Sequence, residues 1–467
     1  MSVLNAMTMD AQRLRADGRH AEAVDLLHEV MRRAPPENVA VMHNYAAALG
    51  DAGRNEEAVD VLRGAFAKGL AAPESHLVFG RVLAATGAFE EAEAAFERIL
   101  AIRPSDSQAH RELAQLAWMR TGDREAALRR IDAAVAAHPD DLGLATSRAQ
   151  VFGQTGDPET QYRLLKDIAD AHPGDPVAAQ LASIAALDVG DLAAALDLGG
   201  RAARSRPDDA GAVNAHISAL LAVGDAAGAA REAETMLGKM PLNQMFLAHL
   251  ATAWRLLGDE RYHVLYDYDA FVFAGSLEAP KGWASLDGYL SDLREGLEQA
   301  HKFVTHPFNQ SVRHGSQAPS IDGASHPALR AYKEAAAPVV RAYLARLAPG
   351  GDPLRRRTLA SFRFYSLWSI KLPTNGFHVN HVHPQGWLSS ACHVRPAAPD
   401  PENDKAGWLK FGEPGIKTAP ALGPERYHRP EAGVLALFPS YMWHGTVPFG
   451  TGEPRLTIAA DIVPSAT

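Results

Sequence analysis

The chain has 467 residues, more than one ordinary domain needs and enough for two or three. Hydrophobic residues (47%) and charged residues (22%) describe a globular chain, and a net charge of −9 opposes the broad phosphate-backbone contact of a nucleic-acid binder. A single cysteine, Cys392, excludes both a disulfide framework and a cysteine-built zinc site.

The chain opens Met1-Ser2-Val3-Leu4-Asn5, without the basic and then apolar pattern of a secretory signal, and no apolar run of about 18 residues predicts a membrane span. The expectation is a cytoplasmic protein with no membrane and no nucleic-acid partner. Aromatic residues are only 7% of the chain, and they are unevenly spread. Trp118 and Trp254 lie before residue 263, whereas Trp283, Trp368, Trp387, Trp408 and Trp443 follow it. This shift predicts two architectures, over residues 1–263 and 264–467.

The first part is periodic. Glycine recurs at Gly18, Gly53, Gly87, Gly122, Gly156, Gly190, Gly224 and Gly258, in steps of 34 or 35 residues. Five residues after the glycine stand Ala23, Ala58, Ala92, Ala127, Ala195 and Ala229, and seventeen after it Pro35, Pro104, Pro139, Pro173, Pro207 and Pro241. The glycine suits a helix end that must reverse with positive φ. The alanine lets the second helix approach the first, and the proline stops that second helix. Apolar residues at helical spacing between these points give each helix a face that only stacked neighbours can bury. Gln161 replaces the alanine in the fifth unit. His263 replaces it in the eighth, which has no proline and reads as a partial cap after seven full repeats.

Residues 284–304 and 327–348 predict helices. From about residue 357 the runs Leu359–Leu372, Trp387–Val394, Trp408–Phe411, Gly433–Phe438 and Leu456–Val463 predict short strands, with a β core over about 357–464 and Cys392 buried in it. Three histidines fall within Phe377-His378-Val379-Asn380-His381-Val382-His383-Pro384, and His444 follows the apolar run ending at Phe438. Strand alternation places His381 and His383 on one side and His378 on the other. A His-x-His pair with a third, distant His can hold a transition metal, for which neutral imidazole is a suitable ligand. A register built on His378 and His381 is the rival set. Tyr365 and Trp368 read as core aromatics, His393 as pocket-lining or structural, His428 as solvent-facing and Arg355-Arg356-Arg357 as a solvated turn.

The glycine, alanine and proline spacing resembles tetratricopeptide repeats, helix-turn-helix units of about 34 residues. That resemblance implies a superhelix whose concave face commonly holds a protein or peptide partner. The alternative is an array that only supports the second domain or pairs subunits into a homo-oligomer. The order His381-x-His383, His444, Arg455-x-Thr457 is similar to the double-stranded β-helix (jelly roll) of Fe(II)/2-oxoglutarate-dependent oxygenases. With Gly386–Ser390, Gly407–Pro414, Leu437–Phe449 and the lead-in His306–Arg313, it resembles a bacterial branch of that family over about residues 300–464. Members of the branch often carry N-terminal tetratricopeptide repeats.

The resemblance implies that His381, His383 and His444 are the catalytic metal ligands for Fe(II). It implies that Arg455 pairs with the far carboxylate of 2-oxoglutarate, with Thr457 and Tyr365 beside it. It also implies that O₂ is consumed in hydroxylating a substrate. His383 departs from the family pattern, which has a carboxylate there. Two other readings stand beside this one: a three-His cupin-type metal enzyme that does not use 2-oxoglutarate, and a non-catalytic repeat scaffold. The expected fold class is α+β multidomain, an all-α superhelix followed by the β-helix with flanking helices.

Overall fold

A computed structural model describes residues 3–359 and 361–465. Met1 and Ser2, part of the N-terminal reading, lie outside the described residues, as does Ala360 within the run expected from Leu359 to Leu372. Among the described residues, fifteen helices run from Val3–Ala16 to Gln244–Leu257 as seven antiparallel hairpins and one further helix. No helix is long and apolar enough to cross a membrane.

The periodic residues account for the hairpins. All eight glycines have positive φ, between 66° and 92°. The six alanines are buried to 1% exposure or less, where the paired helices meet. Each proline lies two residues beyond the end of its helix, as Pro104 does after Ile102. The larger Gln161 is accommodated by a glycine: a Cβ on Gly153, in the facing helix, would stand only 1.9 Å from the Gln161 side-chain oxygen.

Eleven strands follow among the described residues: β1 (Phe273–Ser276), β2 (Val312–Arg313), β3 (Ser316–Ala318), β4 (Ser361–Leu372), β5 (Phe377–His378), β6 (Leu388–Arg395), β7 (Leu409–Phe411), β8 (Arg426–His428), β9 (Val434–Pro439), β10 (His444–Thr446) and β11 (Arg455–Ser465). A six-stranded sheet has the order β1-β9-β6-β11-β4-β3, with every pairing antiparallel. Opposite it are the sheet β10-β7-β8 and the pair β2-β5. From β4 onward the chain alternates between the two sides, so β4, β6, β9 and β11 form one wall and β5, β7, β8 and β10 the other. The large sheet also takes β1 and β3 from before residue 357, beyond the expected core. Helices Leu286–Ala300 and Tyr332–Arg346 pack outside it, Leu290 against Gly433 and Val339 against Gly275.

The repeats and the second domain share one buried core that runs from Val213 to Ile462. The contacts come mainly from the first helix of each hairpin and the turn that follows. The backbone amides of Phe308 and Asn309 donate to the side chains of Gln115 and Gln154, and Val304 N–H donates to Met119 O at 2.9 Å. Further along, Lys417 donates to Asp188 O at 3.0 Å and Ala419 N–H to Leu221 O at 3.1 Å. Trp443 Nε1 donates to Thr252 Oγ1 at 2.9 Å.

Gly53 and Gly122 separate the two uses of the repeat glycine. A Cβ on Gly53 would meet the Ser320 carbonyl at 2.2 Å, whereas one on Gly122 would meet nothing within 4 Å. Gly122→Ala should therefore cost about 1–2 kcal/mol, the left-handed backbone alone. Gly53→Ala should cost more, because the domains must also separate locally. Denaturant midpoints of the two variants check this, and equal losses would contradict it. His249 and His301 are held neutral by burial, at about 3 and about 4. Both take up protons near the ordinary value of about 6.5 once unfolded. The stability they contribute is complete above that value and is lost as the pH falls toward 4, so the denaturation midpoint should drop between pH 7 and pH 5.

Candidate metal centre

The cavity between the two sheets has a volume of about 480 Å³. His381 and His444 face each other across a backbone bridge, with His381 N–H donating to His444 O at 2.8 Å and His444 N–H to His381 O at 3.1 Å. His383 is fixed by its own N–H, which donates to Ser440 O at 3.0 Å. Ligand atoms of His381, His383 and His444 all lie within 4.8 Å of one another.

Hydrogen bonds set the tautomers. His381 Nδ1 lies 2.9 Å from Val379 O and His444 Nδ1 lies 2.9 Å from Met442 O. Both oxygens can only accept, so Nδ1 carries the proton and Nε2 keeps its lone pair. His383 Nδ1 lies 2.5 Å from Asp461 Oδ1, which has the same effect, and its Nε2 lies 3.1 Å from that of His381. Burial pushes His381 down to about 3 and His444 well below the ordinary value, with neighbouring histidines adding to both shifts. Both rings are therefore neutral at pH 7, the form that coordinates a metal. Asp461 was not foreseen. It lies seventy-eight residues from His383, on β11, and no local spacing points to it.

Arg455 begins β11 on the same wall. It is 1% exposed, and burial lowers its pKa to about 10. Its Nε donates to Thr457 Oγ1 at 3.1 Å and one Nη to Gly407 O at 3.0 Å. Among the described residues no carboxylate pairs with it. Arg455 and Thr457 line the cavity together with the three histidines. His393 stands opposite Thr457 on the neighbouring strand β6, 3.5 Å away through Nδ1, and its Nε2 has no hydrogen-bond partner. Trp368 forms part of the wall, its ring centroid 5.5 Å from that of His383.

Several expectations are corrected. Tyr365 is not in the cavity. It stands three residues from Trp368 and so on the opposite face of β4. There its ring lies under Arg363 and against the turn of the first hairpin, where a Cβ on Gly18 would meet it at 2.4 Å. His378 does line the cavity, because regular strand ends at residue 378 and the following segment turns. It stays outside the three-His set, with Nδ1 bonded to Ser311 Oγ at 2.9 Å. His428 is on β8 and half-buried rather than solvent-facing, and Cys392 is buried as expected, its thiol pushed up to about 12.

Residues 366–461 match the family described as "Putative 2OG-Fe(II) oxygenase", and residues 46–107 and 83–151 match tetratricopeptide repeats. The chain thus carries tetratricopeptide repeats followed by a C-terminal domain of that oxygenase family. No curated protein matches it. Among solved structures it is similar to a tetratricopeptide repeat protein from Parabacteroides merdae, at 15% identity over 54% of this chain and 98% of that one, with a TM-score of 0.37. It is also similar to the C-terminal part of a repeat protein from Cytophaga hutchinsonii, at 13% identity over 52% and 99%, with a TM-score of 0.33. At such scores these likenesses carry no argument.

Proposed function

We propose that the C-terminal domain is an Fe(II)- and 2-oxoglutarate-dependent oxygenase that hydroxylates a substrate recruited with help from the repeats. The observation that carries this reading is the pairing of two needs in one cavity. Three imidazoles converge, each with Nδ1 turned to an oxygen, and among the described residues no carboxylate pairs with the buried guanidinium beside them. A transition metal answers the first need and a dicarboxylate the second. A three-His enzyme without 2-oxoglutarate leaves Arg455 and Thr457 without a task, and a scaffold without catalysis leaves the histidines without one.

In this reading His381, His383 and His444 hold the iron through Nε2. Iron with 2-oxoglutarate supplies activation of O₂, one oxygen atom entering the substrate and the other the succinate left after loss of CO₂. Arg455 binds the far carboxylate of 2-oxoglutarate, and Thr457 holds the guanidinium plane while its hydroxyl proton faces the same carboxylate. Asp461 orients the His383 ring and makes it a stronger donor, standing behind that ring rather than on the metal as the family's usual carboxylate does. The sheet walls, with Trp368 among them, exclude water. The alternation of strands between the two walls supports the wrapping expected of a double-stranded β-helix.

Anaerobic addition of Fe(II) and 2-oxoglutarate should give a weak visible charge-transfer band, and O₂ should then yield succinate. Absence of both overturns the reading. Arg455→Ala should weaken 2-oxoglutarate binding by about 2–3 kcal/mol, seen in titrations of that band. Asp461→Asn should lower Fe(II) affinity roughly 10–100-fold with the thermal midpoint little changed. His383→Ala should abolish stoichiometric iron and His378→Ala should keep it; the reverse result would place the ligands on the rival register.

A further inference from the structure

The lining of the metal cavity limits what can be brought to the three histidines. Alternate residues of β11, from Arg455 through Thr457 and Ala459 to Asp461, all line it, so one strand crosses the cavity with a charged residue at each end. Among the described residues these two are the lining groups with a full charge at neutral pH. Asp461 is bonded to His383, and Arg455 is the group assigned above to 2-oxoglutarate. Trp368, Ile370, Val382 and Pro384 make other parts of the wall apolar.

Carboxamides stand at the unpaired edges of the two walls. β3 is the edge of the six-stranded sheet, and β2 is paired on one side only, with β5 of the opposing wall. Gln317 lies on β3. Asn309 and Gln310 lie just before β2, next to Ser311, whose hydroxyl is 3.3 Å from His381 Nε2. All three carboxamide residues line the cavity, and among the described residues their side chains have no hydrogen-bond partner. Asn309 takes a left-handed backbone, φ 59°, and its N–H donates to Gln154 Oε1 at 2.6 Å. The turn is thus fixed by the repeats while its side chain stays available.

We propose that the cavity takes an uncharged group flanked by an amide, the amide pairing with the carboxamides of Asn309, Gln310 and Gln317, and that it refuses a carboxylate or an ammonium at the same place. The proposal rests on the oxygenase reading above. Charge is the first argument. In the loaded site the charges of Fe(II) and Arg455 are matched by those of 2-oxoglutarate and Asp461, and ligating imidazoles are neutral. A charged substrate group would arrive with no counter-charge and with its water removed, and a buried unpaired charge is costly.

Hydrogen bonding is the second argument. A carboxamide both donates and accepts, so it matches the N–H and the C=O of an amide, whereas a carboxylate offers only acceptors and an ammonium only donors. The apolar wall is the third, since it suits the hydrocarbon part of the substrate that must approach the metal. The covalent step balances: a substrate C–H becomes C–OH with one atom of O₂, and 2-oxoglutarate becomes succinate and CO₂ with the other.

The probes are N-acetyl amino-acid N-methylamides, one for each side chain, and capped five-residue peptides with the same residue at the centre. Binding to the full chain holding Zn(II) and 2-oxoglutarate is read by saturation-transfer NMR, and oxygen gain with the Fe(II) form by mass spectrometry. Uncharged members of one set or both should bind and gain one oxygen atom, while Asp, Glu, Lys and Arg members bind at least roughly tenfold more weakly. Binding by single amides points to a small amide and binding confined to peptides to a polypeptide, and the proposal holds in both cases. Asn309→Gly keeps the left-handed turn without strain and should weaken the uncharged members roughly tenfold. Gln317→Glu should shift preference toward the Lys and Arg members by a similar factor. Charged members that bind as well as uncharged ones, indifference to both substitutions, or no binding by a protein with a normal charge-transfer band would each overturn the proposal and leave the oxygenase reading standing. Absence of that band in the unsubstituted protein would instead remove the oxygenase reading, and this proposal with it.

Discussion

The geometry of the three-histidine cluster depends on how Trp443 is held at the domain seam. Its indole N–H donates to Thr252 in the last long repeat helix, and its backbone N–H donates to the Tyr266 hydroxyl at 2.9 Å. The next residue is His444. A side chain fixed at its tip and a backbone fixed at its amide leave the neighbouring imidazole little freedom, and the His381–His444 bridge carries that order across to the second ligand candidate. The repeats therefore brace the strand that presents His444 as well as offering a surface.

The same bracing recurs on the other side of the cavity. The segment that carries Ser311, whose hydroxyl touches both His378 and His381, is seated on Gln115 and Gln154 of the fourth and fifth hairpins. Around Glu425, the hydroxyls of Tyr262 and Tyr268 and the Arg255 guanidinium converge, a charge-assisted network between the end of the array and the β7–β8 loop. The seam contacts thus reach residues that border the cavity, Ser311 among them. Much of the surface that first helices would offer to a partner is covered by the chain's own second domain.

Much of this was legible in local sequence. A 34-residue spacing of Gly, Ala and Pro encodes hairpins because each residue acts within its own turn: positive φ, close helix contact, helix stop. His381, His383 and His444 were legible because imidazoles are scarce ligands in a β-rich segment and two of them stand two residues apart. Arg455 and Thr457 were singled out by the resemblance to the oxygenase family, in which such a pair follows the last histidine. Tyr365 was misplaced because a strand's two faces are told apart only when one is known to be buried, and both faces of β4 are covered here. His378 was misplaced because strand alternation was carried past the point where the strand ends.

The sequence by itself determined the two architectures, the number of hairpins and the residue types able to hold a metal and a dicarboxylate, since these rest on backbone geometry and side-chain chemistry within a few turns of chain. Tertiary structure decided the rest. It brought Asp461 to His383 across seventy-eight residues, left Arg455 buried with no carboxylate paired to it among the described residues, turned Tyr365 toward the first repeat, and laid the β domain along the repeat helices. Each of these is a pairing between surfaces distant in sequence, and a pairing of that kind is fixed by which faces pack together, a property that no short window of residues contains.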